Sequence, residues 1–255
     1  MTAPALHAKE SGADGPVIVF LHGFGGSHEV WRGVAKRIGP AARIIAYDLP
    51  GHARSLATEG STSSKAMAQA ILADLAQRKA APVHVVGHSM GGAIAALMGL
   101  AQPDQVASLT LLAPGGLGTE INAALLRRFA RASSRKDVSA CLAEMMATGH
   151  EPTAKSVHAM AAQRRIGGQS EALGRIVEYI TRDGRQGTIP LAKLAGLRIP
   201  TAVAWGRLDP VLPVAQALRL PAAFDVRLIE SAGHMLPEEA PGKVAKIIVD
   251  TVFTA

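Results

Sequence analysis

Apolar residues along this chain form two kinds of run. The first kind is short, continuous and rich in β-branched residues, and stops at glycine or proline. Val17-Ile18-Val19-Phe20-Leu21 ends in His-Gly, and Arg43-Ile44-Ile45-Ala46-Tyr47 ends in Asp-Leu-Pro-Gly. Val83-His84-Val85-Val86 ends in Gly-His-Ser, and Leu109-Thr110-Leu111-Leu112 ends in Ala-Pro-Gly-Gly. Thr201-Ala202-Val203-Ala204-Trp205 runs into Gly-Arg-Leu-Asp, and Val226-Arg227-Leu228-Ile229 stops near Gly233-His234. Six such runs without polar alternation predict strands buried on both faces, as in a mostly parallel sheet.

The second kind has helical spacing. Ser27 to Ile38, Ser63 to Lys79 and Ser89 to Ala101 alternate with the strand runs, and Pro241 to Val252 closes the series with Val244, Ile247, Ile248 and Val252 on one face. Strand alternating with helix predicts an α/β fold with helices on both faces of the sheet. Between about Leu117 and Pro190 the strand runs stop. Helical triplets take their place (Ile121, Leu125, Phe129; Leu142, Met145, Met146; Ile176, Val177, Ile180), separated by breaks at Gly167-Gly168 and Gly184. The expected organisation is a core of residues 1–116 and 191–255 with a helical lid, residues 117–190, walling a pocket.

The chemistry concentrates where strands end. Gly87-His88-Ser89-Met90-Gly91 fits G-x-S-x-G, with a strand run before it and the small-residue stretch Gly92 to Leu97 after it. The flanking glycines allow a sharp strand-to-helix turn that leaves Ser89 exposed as a nucleophile, with Gly87 and Gly91 making room. A serine hydroxyl needs an adjacent base. Among nine histidines, His234 follows the last strand run, the place where a Ser–acid–His order puts the base. Asp209, after Thr201 to Trp205, is the acid that would orient its ring. The other loop that could supply one, Ala113-Pro114-Gly115-Gly116, has no carboxylate. Asp209 also stands before a proline, so capping of the following helix is a second role for it. The backbone N–H of Met90 and that of Phe24, in His22-Gly23-Phe24-Gly25-Gly26, are the expected oxyanion donors. His22, Gly23, Gly25 and His88 are read as support around them, as is Leu208.

Composition narrows the class. The 255 residues are 48% hydrophobic and 18% charged, which fits a folded globule with a largely aliphatic core. The net charge of +7 is spread along the chain apart from Arg127, Arg128, Arg131, Arg135 and Lys136. Aromatics are not interleaved with that cluster as in a single-strand-binding surface (Phe129 alone falls within it), so nucleic-acid binding is not expected. A single cysteine, Cys141, allows no intrachain disulfide, and Met1 to Glu10 carries no basic start with an apolar run. A cytoplasmic location is therefore expected, with no membrane span. No His/Cys/Asp spacing suggests a metal, and no phosphate-loop spacing a nucleotide, so no cofactor is expected. A homodimer is compatible with the sequence.

Taken in order, His22-Gly23-Phe24-Gly25-Gly26, Asp48-Leu49-Pro50-Gly51-His52, the Ser89 turn, Gly206-Arg207-Leu208-Asp209 and Gly233-His234 resemble the α/β-hydrolase superfamily over almost the whole chain. The resemblance implies a Ser89–His234–Asp209 triad. Leu112 to Asn122 and Asp183-Gly184-Arg185-Gln186 further resemble the hydrolase-like domain of the dihydrolipoamide acetyltransferase component of acetoin dehydrogenase complexes. Those proteins carry a lipoyl domain ahead of it, whereas here the hydrolase pattern starts by about Leu6, and the front looks short for the family's usual first strand. Ala53 stands where relatives more often have glycine. The first expectation is hydrolysis of a small ester or thioester through an acyl-serine. Acyl transfer to a thiol or alcohol, with an acidic carrier domain docking on the arginine cluster, is the second. A ligand-binding module without turnover is the third. Serine at position 89 sets the chain apart from haloalkane dehalogenases and most epoxide hydrolases of this fold, which need aspartate there.

Overall fold

The computed structural model describes residues 6–12, 14–58 and 62–253; residues 1–5, part of the stretch searched for a leader, lie outside them. The six strand runs appear as β2 (Val17–Leu21), β3 (Arg43–Tyr47), β4 (Val83–His88), β5 (Val106–Leu112), β6 (Thr201–Gly206) and β7 (Asp225–Ile229). They belong to one sheet of order β1-β3-β2-β4-β5-β6-β7, parallel from β3 to β7. A seventh strand precedes them. β1 (Ala8–Ser11) pairs antiparallel with β3. It is an edge strand of sequence Ala-Lys-Glu-Ser, mostly exposed, so it carries none of the apolar signal that marks the buried strands.

The helical windows hold with adjusted ends. Ser27 to Ile38 divides into a short 3₁₀ turn and α1 (Arg32–Ile38). α2 (Ser64–Gln77), α3 (Met90–Ala101) and, last in the chain, α11 (Pro241–Phe253) follow the predicted windows. Val244, Ile247, Ile248 and Val252 are all buried. α1 packs against α11, and α2 against α3. Ile18 to Leu21 are fully buried, which requires cover on both faces of the sheet.

Between β5 and β6 the chain forms α4 (Ala123–Arg131), α5 (Arg135–Met145), α6 (Ala154–Gln163) and α7 (Gln169–Ile180). Side chains of Asn122, Ser134 and Thr153 cap the first three, and Gly168 at φ +84° admits the turn into the fourth. The predicted triplets face inward: Leu125, Phe129, Leu142, Met145, Ile176 and Val177 are buried. Short helices α8 (Leu191–Gly196), α9 (Ala215–Leu218) and α10 (Leu236–Glu239) complete the connections. Among the described residues no helix is long and apolar enough to cross a membrane.

Candidate active site

Close packing builds the Ser89 turn. A Cβ on Gly87 would lie 2.2 Å from the carbonyl oxygen of Gly91, and one on Gly91 would lie 2.2 Å from that of Leu21. Only glycine fits at either position, so α3 can start directly against β4 and β2. Ser89 sits at φ +52°, ψ −116°, a conformation that L side chains rarely adopt. Its backbone is tied down on both sides: its N–H donates to Leu112 O (2.9 Å), and its carbonyl accepts from Gly92 (2.9 Å) and Gly115 (2.9 Å). The loop after β5 that lacks a carboxylate thus holds the turn with a backbone N–H instead.

The three residues predicted for the centre meet. His234 Nε2 lies 2.9 Å from Ser89 Oγ, and its Nδ1 lies 2.8 Å from Asp209 Oδ2. The histidine and aspartate side chains are 3% and 0% exposed. Asp209 Oδ1 accepts from the N–H groups of Val211 (2.8 Å) and Leu212 (2.9 Å). Asp209 therefore closes the turn that follows it rather than capping α9, whose N-cap is Val214, and each carboxylate oxygen has its own task.

The expected oxyanion donors border the same point. Met90 opens α3, where an N–H has no intrahelical acceptor. Phe24 lines the same cavity as Ser89 and Met90. The loop around Phe24 is fixed by histidines. His22 Nε2 accepts from Leu49 N–H (2.9 Å), so its Nδ1 carries the proton given to Gly23 O (2.8 Å). His52 Nε2 accepts from Gly25 N–H (3.1 Å). His88 packs beside Gly23, where a Cβ would meet its Nδ1 at 2.9 Å. Burial lowers the pKa of His22 to about 4 and those of His52 and His88 to about 3, so all three are neutral. Leu208, by contrast, is 51% exposed, and its link to the site is a backbone one: its N–H donates to Ala232 O (3.0 Å), two residues before His234.

Several residues at the site went unread in the sequence. Glu239 accepts from the N–H groups of Ala147, Gly233 and Met235, each at 2.8 Å, and so straps the His234 loop to the inserted helices. Gln169 binds Gly51 O (2.9 Å) and Ala53 N–H (2.8 Å). Asp48 collects His28 N–H (2.9 Å) and the rings of His28 (2.8 Å) and His7 (3.0 Å). Burial opposes its charge, but the ring and backbone N–H of His28, with His22 nearby, prevail and hold its pKa at about 2. The donor atoms of His7, His28 and Asp48 lie within 4.8 Å of one another, a grouping that no local spacing in the sequence shows. His7 Nε2 also faces Arg54 Nη1 at 3.2 Å, so a guanidinium shares this cluster. In the basic cluster, Arg127 pairs with Glu178 and Arg128 with Glu144.

A cavity of about 400 Å³ opens at Ser89. Phe24, Met90, Ala93, Leu97, Ile121, Leu126, Ile180, Ile189 and Leu212 give it a largely apolar wall, and Ser63, Lys65, Tyr179, Arg182 and Gln186 add polar groups. A second cavity of about 20 Å³ touches Ser89 and His234 from the side of Gly23, Met145 and Met160.

Residues 16–241 match the alpha/beta hydrolase fold family, and the chain belongs to it. It is 33% identical over 233 residues to the dihydrolipoyllysine-residue acetyltransferase component of the acetoin cleaving system of Pseudomonas putida, covering 91% of this chain and 62% of that one. The Cupriavidus necator component is 30% identical over 227 residues, covering 89% and 60%. The chain thus spans about 60% of the length of these relatives. The structure of 2-hydroxy-6-oxo-6-phenylhexa-2,4-dienoate hydrolase from Rhodococcus sp. strain RHA1 superposes with a TM-score of 0.82 at 19% identity, over 98% of this chain and 95% of that one, a likeness of fold.

Proposed function

We propose that this protein is a serine hydrolase that cleaves a carboxylic ester or thioester through an acyl-Ser89 intermediate. The observation that carries this assignment is the unbroken chain Asp209–His234–Ser89, with contacts of 2.8 and 2.9 Å. His234 Nε2 takes the hydroxyl proton as Ser89 Oγ attacks the carbonyl carbon. The N–H groups of Phe24 and Met90 receive the oxyanion. The imidazolium, stabilised by Asp209, then gives its proton to the leaving alcohol or thiol. A water enters beside Ser89 and His234, loses a proton to the ring and releases the acid. The small cavity beside these two residues has about the volume one water needs.

The large cavity favours an acyl group longer than acetyl. Its volume lies in the range of small-molecule pockets, and an acetyl group would leave most of its apolar wall without contact. Ser89→Ala should abolish turnover of p-nitrophenyl esters with the fold intact, and a fluorophosphonate should label Ser89 in the wild type. Turnover unchanged in Ser89→Ala sinks the assignment. Across acetate to decanoate esters, kcat/KM should peak beyond acetate.

The similarity to the acetyltransferase components favours a second reading, in which the same acyl-serine passes its acyl group to a thiol. Arg131, Arg135 and Lys136 would then meet an acidic carrier. Product partitioning with added dihydrolipoamide or coenzyme A separates transfer from hydrolysis. Absence of both turnover and labelling would leave a ligand-binding module.

A further inference from the structure

Arg164 follows α6 and points inward. It is 5% exposed, and among the described residues neither Nε nor Nη2 has a hydrogen-bond partner. A buried cation without a carboxylate is costly, so what surrounds it is informative. Its guanidinium lies 4.9 Å from the centroid of the Phe129 ring, and Phe129 in turn packs edge-on against Phe24, ring centroids 6.3 Å apart. Nη1 donates to Gly25 O at 3.4 Å. Gly25 must be glycine for this approach: a Cβ there would lie 2.7 Å from Phe129 and 2.9 Å from Arg164 Nη2. Burial lowers the pKa of Arg164 to about 10, which still leaves it charged at neutral pH.

The loop connects that charge to the oxyanion site through two peptides. Arg164 donates to the carbonyl of the Gly25–Gly26 peptide. The N–H of that peptide, on Gly26, donates to Gly23 O at 3.1 Å. Gly23 O belongs to the Gly23–Phe24 peptide, whose N–H is the one assigned to the oxyanion. His22 Nδ1 donates to the same Gly23 oxygen at 2.8 Å. Hydrogen bonds in series polarise one another, and a cation at the head of the series makes the last N–H a stronger donor. The long first contact fits a bond that tightens as negative charge develops.

We propose that Arg164 is a positioning residue that strengthens the Phe24 oxyanion donor through the Gly25–Gly26 and Gly23–Phe24 peptides. The inference rests on the acyl-Ser89 assignment. It also gives the inserted helices a part in the chemistry, because Arg164 lies outside the sheet and its loops.

The test uses the acyl-enzyme formed with p-nitrophenyl cinnamate carrying a ¹³C carbonyl, read by difference infrared spectroscopy. In the wild type the ester carbonyl band should be shifted to low frequency by the oxyanion donors. In Arg164→Met it should move toward the frequency of a free ester, with kcat about tenfold lower and KM within about twofold, a smaller loss than deletion of a direct donor gives. Arg164→Lys keeps the charge and should recover part of both. A folded variant with the wild-type band overturns the proposal, whether kcat is unchanged or reduced. Should Arg164→Met fail to fold, the band in Arg164→Lys decides. A wild type that forms no acyl-enzyme overturns the hydrolase assignment along with this one, an outcome distinct from the others.

Discussion

His88 Nε2 lies 2.8 Å from the carbonyl oxygen of His234. The residue before the candidate nucleophile therefore grips the backbone of the candidate base, across 146 positions of sequence. The ring is neutral, so Nε2 carries the proton and donates. Its ring centroid is 5.0 Å from that of His234, and it fills the space beside Gly23. His88→Ala should leave the His234 carbonyl with the Leu236 N–H (2.9 Å) as its remaining donor and open a cavity beside the oxyanion loop. We expect kcat for p-nitrophenyl butyrate to fall about tenfold, with KM changing less, and stability to fall by about 2–3 kcal/mol. Steady-state kinetics and urea unfolding check both. Unchanged kcat would mean that the His234 loop needs no help from β4.

Glu239 gives the same loop a second anchor. Its carboxylate takes three backbone N–H groups, one of them from Ala147 at the end of the α5 segment. Glu239→Gln replaces one acceptor oxygen by a donor facing an N–H. The expected cost is about 1–3 kcal/mol, with loss of activity at temperatures where the wild type is still folded. If Glu239→Gln matches the wild type in thermal midpoint and in kcat, the strap is not what holds His234.

The legible part of the site is the part that local sequence encodes. The glycines around Ser89, the glycine before His234 and the proline after Asp209 each fix a turn within a few residues, so position along the chain was enough. β2 to β6 were legible because their burial is nearly continuous, while β7, half-buried at the other edge of the sheet, was legible from Val226, Leu228 and Ile229. β1 was not, because its residues face water at the sheet edge. Arg164, Gln169 and Glu239 were not, because their partners lie far away: Arg164 meets Gly25 across 139 residues, and Gln169 meets Gly51 across 118. A buried arginine or glutamine in a helical stretch looks like any surface residue until the helices are placed.

Ser89 and Ala53 both occupy positive φ, at +52° and +46°. The resemblance puts glycine at position 53, and the backbone there keeps a conformation that suits glycine. Such strain costs about 1–3 kcal/mol, while glycine adds unfolded-state entropy worth about 0.5–1 kcal/mol. Ala53→Gly should therefore raise the thermal midpoint by about 2–4 °C. Ser89→Gly should exceed Ser89→Ala in midpoint by a similar amount, both being inactive. Scanning calorimetry on these variants decides, and a lower midpoint for either glycine variant removes strain as the explanation.

Acid should weaken the fold before it protonates most carboxylates. His22, His52 and His88 have pKa values lowered by burial to about 4, 3 and 3. Below pH 6.5 the unfolded chain binds protons that the native rings refuse, so stability is present above that pH and is lost as pH falls toward the native values. Each ring contributes a loss of about 2 kcal/mol by pH 5. His28 works in the opposite direction, since its hydrogen bond to Asp48 raises its pKa and its contribution grows as pH falls. Asp48, held at about 2, adds its own loss below the ordinary carboxylate range. Burial lowers the pKa of His84 as well, so four rings oppose one, a large fraction of the stability of a typical domain, and the urea midpoint should drop steeply between pH 7 and 5. His52→Gln keeps one acceptor and one donor for Gly25 N–H and Pro50 O, the partners of the present ring. That variant should start less stable at pH 7.5 and show a slope shallower by about 1.4 kcal/mol per pH unit between pH 6 and 4.5. An unchanged slope would show that His52 takes up its proton in the folded state.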